Sequence, residues 1–324
     1  MAALDRIDVF NGDADGICAL HQLRLHTPRP EARLITGLKR DIALLERIGP
    51  VSGQRIAVLD ISLDRNRDTL TRLLALGNRV FYADHHYSGQ AIVHDLLETH
   101  LDPSPDVCTS LIVDRLLAGA HCLWAIAGAF GDNLDDNARQ YARSLGLTTH
   151  EQEMLAEIGL LLNYNGYGLS EEDLLIHPAD LFREVHRFAD PFAFHRRSDS
   201  LARLRRNHAA DMARAADLRP ETATGGGRVF RLPAAAWANR TVGVIANKLS
   251  REQPALAHAV LLTRPDGNLR VSVRAPLATG RGADELCRRY VSGGGRAAAA
   301  GINRLPLAEL AAFLADFASH FPPL

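Results

Sequence analysis

At 324 residues the chain has room for about two domains of ordinary size. With 47% hydrophobic and 23% charged residues and a net charge of −1, it is neither a disordered polymer nor a globally basic surface, so any contact with nucleic acid must come from a local patch. Cys18, Cys108, Cys122 and Cys287 form no CxxC, the start MAALDRIDVF lacks a signal-peptide pattern, and no apolar run is long enough to span a bilayer, so a reduced, cytoplasmic, soluble protein with no membrane partner is expected.

RIDVF predicts a strand, NGDADG a turn and ICALHQLRLH a helix. ARLITG is a second strand, followed by a helix over RDIALLERIG. RIAVLDIS and RVFYADHH are two further strands, with a helix over RNRDTLTRLLALG between them. VCTSLIVDRLLAG and the segment around LWAIAGAFGD predict helices, the second closing on an acid. This alternation predicts an α/β domain: a parallel twisted sheet with helices on both faces. Residues from about 134 to 195 read as helical, and HRRSDSLARLRRNHAADMARAADLR as a long exposed helix linking two domains. After the break at ETATGGGRVF come RVFRLPA, a hairpin LLTRPDGNLRVSV turning at Asp266-Gly267, a helix around ADELCRRY, the run SGGGRAAAAG and a final helix LAELAAFLADFASHF. These predict a smaller α+β domain. The expected division is residues 1–195, a helical linker over 196–225, and 226–324.

Acids cluster where a parallel sheet places its chemistry. Asp13 and Asp15 lie in the turn after the first strand, and Asp60 ends RIAVLD. Asp84, His85 and His86 follow FYA, and Asp132 lies in AFGDN. The carboxyl ends of parallel strands face one crevice, so these residues can converge from far apart. Each alone has a plainer reading: Asp13 and Asp15 as turn formers, Asp60 as a helix cap, Asp132 with Asn133, Asp135 and Asp136 as a solvated cap cluster, and His86 as a satisfied core histidine. Together they predict a metal centre. Two hard divalent ions about 3.5–4 Å apart need several carboxylates, one of them bridging. Asp13 and Asp15, two apart across a Gly-flanked turn, can point at different ions, with Asp60 the natural bridge. His85 adds a nitrogen, which favours manganese, iron or cobalt over pure magnesium.

These motifs resemble the DHH phosphoesterase superfamily, named for its Asp-His-His triplet. NGDADGICAL is similar to its first motif, AVLDIS to its second, ADHH to its third and GAFGDN to its fourth. RVSVRA with SGGGRAAAAGI is similar to the DHH-associated C-terminal domain, so the resemblance covers nearly the whole chain. It implies two manganese ions, with magnesium or cobalt as substitutes, and phosphoester hydrolysis by a metal-bridging hydroxide in a cleft between the domains. It assigns Asp13 to one ion, Asp15 to the other, Asp60 to both, and His85 and Asp132 to the Asp15 ion. Asp84 would support the histidines and His86 would face the phosphate. In the second domain, Arg274 and the backbone at Gly293, Gly294 and Gly295 would hold the substrate.

Two positions depart from the family pattern. Where many members carry a histidine on the first strand, or an aspartate in RecJ-type exonucleases, this chain has Asn11, which can ligate through its carbonyl but brings no charge. Arg296 replaces the histidine of the usual GGGH; arginine grips a phosphate bidentately but cannot shuttle a proton at neutral pH. The implied substrate is a short oligonucleotide, cyclic dinucleotide or nucleoside bisphosphate. One alternative is a RecJ-like single-strand exonuclease, with Arg196, Arg197, Arg203, Arg205 and Arg206 following single-stranded nucleic acid. The other is a degenerate protein that binds nucleotides without cleaving them. A second copy of the chain, as a homodimer, is a further candidate partner.

Overall fold

In the computed structural model, which describes residues 6–323, the first strand, β1 (Arg6–Phe10), is buried over its last four residues and leads into a tight turn before α1 (Ala14–His26). β2 (Arg33–Ile35), β3 (Arg55–Leu59), α2 (Leu63–Ala75), β4 (Arg79–Asp84) and β5 (Leu97–Leu101) follow. The strands form one sheet of order β2-β1-β3-β4-β5, and every neighbouring pair is parallel. Successive side chains of a strand point to opposite faces, so one strand can feed two cores. Ile7, Val9, Ile56, Val58, Val80 and Tyr82 pack with Leu70, Leu73 and Leu74 of α2 on one face. Phe10, Leu59 and Ala83 pack with Ile17 and Leu20 of α1 on the other. Helices thus cover both faces, as the βα rhythm predicts.

The strand order reverses direction between β1 and β3. In a doubly wound sheet that reversal opens a crevice at the carboxyl ends, where the loops after the two strands diverge.

Helices complete this first unit: α3 (Thr109–Leu116), α4 (Cys122–Gly131), α5 (Asp135–Ser144), α6 (Thr149–Gly166), α7 (Pro178–His186), α8 (Pro191–Arg197) and the first part of α9 (Asp199–Ala216). The helix expected over RDIALLERIG is only a short 3-10 turn, Leu44–Ile48. Asp41 accepts a bond from Leu38 N and pairs with Arg47, which winds the chain into a tight turn there, and Gly49 with positive φ ends the turn. β5 has no counterpart in the sequence reading, because LETHL is a half-exposed edge strand without an apolar run.

The segment expected as one long exposed helix is two helices broken at Ser198, whose hydroxyl accepts from Leu201 N. Nor is α9 exposed all round, because Leu201 and Leu204 belong to the core of the first unit. The boundary between the two compact units falls within α9, between Arg206 and Asn207.

The second unit continues with β6 (Thr222–Ala223), β7 (Gly227–Leu232), α10 (Ala236–Glu252), β8 (Ala257–Thr263), β9 (Leu269–Arg274), α11 (Ala283–Cys287), β10 (Gly293–Gly295), β11 (Ala299–Leu305) and α12 (Leu310–His320). Its sheet has order β10-β11-β9-β8-β7-β6, antiparallel except for the β7–β8 pair. β8 and β9 form the predicted hairpin, with Gly267 at positive φ in the turn. Among the described residues, no helix is long and apolar enough to cross a membrane.

Candidate metal centre

The turn after β1, the first turn of α1, the ends of β3 and β4 and the end of α4 carry the acids, and each is fixed by its backbone setting. Asp13 is the N-cap of α1, its Oδ1 accepting from Gly16 N at 3.1 Å. Gly16 is demanded here, since a Cβ would stand 2.2 Å from the Asn11 carbonyl oxygen. Asp15, in the first turn of α1, is fully buried. Its carboxylate accepts from the amides of Thr109 and Ser110, each at 2.7 Å, and from the Ser110 hydroxyl. The start of α3 thus serves as an anion cradle for Asp15. Asp60 follows β3 with φ of 60°, and its amide donates to Ala83 O at 3.1 Å. Asp132 ends α4, and Asn133 beside it has φ of 63°. Two left-handed non-glycine residues at one place each cost about 1–3 kcal/mol and persist because strand pairing and helix packing hold them.

His85 Nε2 is the hub of the cluster. It lies 3.5 Å from Asp60 Oδ1, 3.6 Å from Asp132 Oδ2 and 4.0 Å from Asp15 Oδ2. With bonds of about 2.1 Å, ligand atoms of an octahedral ion stand about 3 Å apart when adjacent and about 4.2 Å apart when opposite. The observed spacings lie between those limits. Mixed carboxylate and imidazole donors suit a hard or borderline divalent ion. Asp15, His85 and Asp132 form one metal-capable group, and Asp60, His85 and His86 another, so the two share His85. The residues therefore fit a divalent ion.

The remaining predicted ligands are engaged differently. Asn11 Oδ1 accepts from Asp13 N at 3.2 Å, and its amide donates to the Lys39 carbonyl at 3.0 Å. Lys39 Nζ pairs with Asp13 Oδ2 at 2.5 Å and reaches Asp132 Oδ1 at 3.4 Å. Asp84 Oδ1 bonds His86 Nδ1 at 2.7 Å, while its buried Oδ2 has no hydrogen-bond partner among the described residues.

The electrostatics follow from this packing. Burial, then the charges of Asp15, Asp13, Asp132 and Asp84, push the Asp60 carboxyl well above its usual range. Asp132 is raised as well, by burial, although Lys39 works against that. Burial alone would raise Asp13, but the Lys39 ammonium outweighs it and leaves that carboxyl below its usual range. Burial opposes charge on Lys39 too, and Asp13 and Asp132 more than reverse this, so it is held firmly protonated. Burial would lower His86, and its bond to Asp84 more than offsets that and raises it. Carboxylates that cannot all ionise together call for a cation among them.

Lys39, Thr109 and Ser110 were not read from the sequence as part of the centre. Lys39 follows β2, the neighbour of β1, in ITGLKRD, and Thr109 and Ser110 open a predicted helix in VCTS. A search confined to acids and histidines passes over both. Thr109 Oγ1 also donates to Asp60 Oδ1 at 3.1 Å, so this pair orients two of the acids.

The predicted substrate residues lie in the second unit. Arg274 ends β9 and pairs in register with Ala299, while its guanidinium donates to Asn247 Oδ1 at 2.8 Å and Ser272 Oγ at 3.0 Å. Gly293, Gly294 and Gly295 form β10 itself, and Arg296 stands exposed at the tip of the β10–β11 hairpin. Arg296 N bonds Ala299 O at 2.9 Å, which brings Arg274, Arg296 and the glycine strand to one end of that sheet. Of the arginines proposed to follow a nucleic-acid strand, Arg205 is held bidentately by Glu157, at 2.7 and 2.9 Å.

This fold is shared by solved structures that include a DHH-domain protein, aligned over 96–98% of the chain. A DHH-domain member of a family of ribosomal proteins aligns with TM-score 0.63 and 15% identity over 98% of this chain and 86% of its own. Exonuclease RecJ bound to manganese aligns with TM-score 0.62 and 19% identity over 98% and 91%. The pGpG-specific phosphodiesterase PggH from Vibrio cholerae aligns with TM-score 0.56 and 13% identity over 96% and 98%. No protein-family model and no curated protein matches the chain.

Proposed function

We propose that this chain is a divalent-metal-dependent phosphoesterase that hydrolyses a nucleotidic phosphodiester, with a short oligonucleotide as substrate. The observation that carries this reading is the gathering of Asp15, Asp60 and Asp132 around His85 Nε2, at 3.5–4.0 Å, where the sheet order reverses. The likeness to RecJ with manganese and to the PggH phosphodiesterase supports it. When bound, a divalent ion supplies an activated water and neutralises charge on the phosphoryl group.

The protein's own groups do the rest. Asp15, Asp60, Asp132 and His85 would hold manganese, with magnesium or cobalt as replacements. Thr109 and Ser110 keep Asp15 and Asp60 oriented through the start of α3. His86, raised and aligned by its bond to Asp84, would face the phosphoryl oxygens and stabilise the charge that grows there. Arg274 and Arg296 are the candidate cations for a second phosphate. The engagement of Arg205 with Glu157 favours a short substrate over a strand tracked along that arginine run.

The test is a substrate panel with manganese: dinucleotides, short RNA, cyclic dinucleotides, a nucleoside bisphosphate and single-stranded DNA. Turnover of the short substrates is expected, abolished by a chelator and by Asp60→Ala. No turnover of any substrate, with Asp60→Ala indistinguishable from the parent, would leave a nucleotide-binding protein rather than an enzyme.

A further inference from the structure

We propose that the centre takes one divalent ion rather than two, and that the Lys39 ammonium occupies the place a second ion would fill. The inference rests on the metal-dependent reading above. It starts from what the donors on the β1 side are already doing. Asp13 Oδ1 accepts from Gly16 N at 3.1 Å and Oδ2 accepts from Lys39 Nζ at 2.5 Å, so a cation already sits on this carboxylate, whereas Asp15 is held by neutral donors alone. Asn11 is committed at both ends, to Asp13 N and to the Lys39 carbonyl.

Asp132 divides its two oxygens. Oδ1 faces Lys39 Nζ at 3.4 Å and Oδ2 faces His85 Nε2 at 3.6 Å. One carboxylate therefore stands between a fixed ammonium on one side and the ion-binding donors on the other, in the manner of a bridging ligand. A dication placed on Asp13 would meet the ammonium of Lys39 at contact distance, with like charges in a poorly solvated site. Residues 11 and 39 make the same point together: a neutral side chain stands where charge would be needed to hold an ion, and a cation stands where the ion would go. Lys39 is held to this place by backbone as well as charge, since its amide donates to Gly166 O at 2.9 Å and its carbonyl accepts from Asn11. A lysine cannot exchange or be chelated, so one of the two cationic centres would be built permanently into the chain.

The experiment counts ions. Full-length protein is loaded with manganese and desalted, the metal per chain is measured by mass spectrometry, and the electron paramagnetic resonance spectrum is recorded. Wild type is expected to hold one ion per chain, with the six-line spectrum of isolated manganese. Lys39→Met, which keeps length and removes charge, is expected to hold two and to give an exchange-coupled spectrum. If wild type holds two coupled ions, the Lys39 proposal falls while the phosphoesterase reading stands. If wild type holds one and a folded Lys39→Met also holds one, the proposal falls, because the lysine is then not what excludes the second ion. If wild type holds none, both readings fall. Should Lys39→Met not fold, Lys39→Gln takes its place, and the wild-type count and spectrum already discriminate one ion from two.

Discussion

The two regions of this molecule that carry candidate chemistry are built on opposite principles. At the carboxyl end of the first sheet the groups are buried side chains: Asp13, Asp15, Asp60 and Asp84 are each no more than 3% exposed. Every charge there depends on its neighbours, through Lys39, through the start of α3 and through the His86–Asp84 bond. At the β10–β11 end of the second sheet the candidate groups are a glycine backbone and exposed or half-buried arginines. A change in the first region must propagate, because removing one partner leaves another buried and uncompensated. A change in the second can stay local.

The largest expected effect follows from that difference. Asp60→Asn should lower kcat/KM by about 10³-fold or more, the scale of losing a charge-organising group in a dry site. The same substitution should raise the melting temperature of the metal-free protein. The Asp60 carboxyl is pushed up by burial and by Asp15, Asp13, Asp132 and Asp84, so the folded chain binds an extra proton and loses stability as pH rises through that range. An amide has no charge to strand. Steady-state kinetics and thermal melts with and without manganese check both halves. By contrast, Arg274→Ala should raise KM for a nucleotidic substrate and leave the metal count unchanged. A drop in both activity and stability on Asp60→Asn would mean that Asp60 is only a structural turn.

Next in size is the support of His86. Asp84→Asn should lower kcat by about 10- to 100-fold, as loss of a carboxylate behind an active-site imidazole does. The Asp84 bond is also what raises His86, so without it the imidazolium gives up its proton at lower pH. The alkaline limb of the kcat profile should therefore move to lower pH, whereas a merely structural role would leave it in place.

Much of this was legible in the sequence because it is written in short-range patterns. The βα alternation predicts the parallel sheet, and acids at successive strand ends predict their convergence, since a parallel sheet offers one end for chemistry. What escaped depends on tertiary approach. Nothing in ITGLKRD marks Lys39 as the partner of Asp13, because the ion pair forms only when the loop after β2 folds over the turn after β1. Asn11 is read as a ligand while its hydrogen bonds are unseen, although both of its ends are used. The helix expected over RDIALLERIG has the apolar spacing of a helix, and the Asp41–Arg47 pair and Gly49 decide against it. The burial of Leu201 and Leu204 could not be told from an exposed arginine-rich helix by composition.

Acid lability extends the comparison beyond the two candidate sites. Each unit buries a neutral histidine. His21, between the Trp124 ring, His186 and the Phe188 carbonyl, is lowered to about 3 by burial and His186. His258, accepting from Arg228, is lowered to about 4 by burial and that cation. A folded value below the unfolded 6.5 means that the unfolded chain binds more protons in the window between them, so stability is full above pH 6.5 and falls as pH drops. The slope is up to about 1.4 kcal/mol per pH unit for each histidine. The two windows coincide down to about pH 4, and below that His21 alone keeps costing its unit stability. Trp124 belongs to the first unit and Trp237 to the second, so single-tryptophan variants followed by fluorescence report each unit separately. His21→Gln should flatten the Trp124 transition and leave that of Trp237 in place. Coincident transitions in all variants would place the acid sensitivity elsewhere.

The smallest effects test whether the glycine strand serves packing or a ligand. At Gly293 a Cβ would stand 1.7 Å from the Cys287 carbonyl oxygen, and at Gly295, with φ of 140°, 2.5 Å from Ala300 Cα. Those two glycines are required by the fold, so Gly295→Ala should cost about 1–3 kcal/mol. Gly294 is different, since a Cβ there meets nothing within 4 Å. Gly294→Ala should change stability by no more than about 0.5 kcal/mol, and packing gives no reason for a glycine at that position. If the open backbone face at Gly294 is where a phosphate or base approaches, the alanine should raise KM several-fold with the melting temperature unmoved. If KM is also unmoved, β10 is a packing device, and the substrate contacts in the second unit must be sought at Arg274 and Arg296 alone.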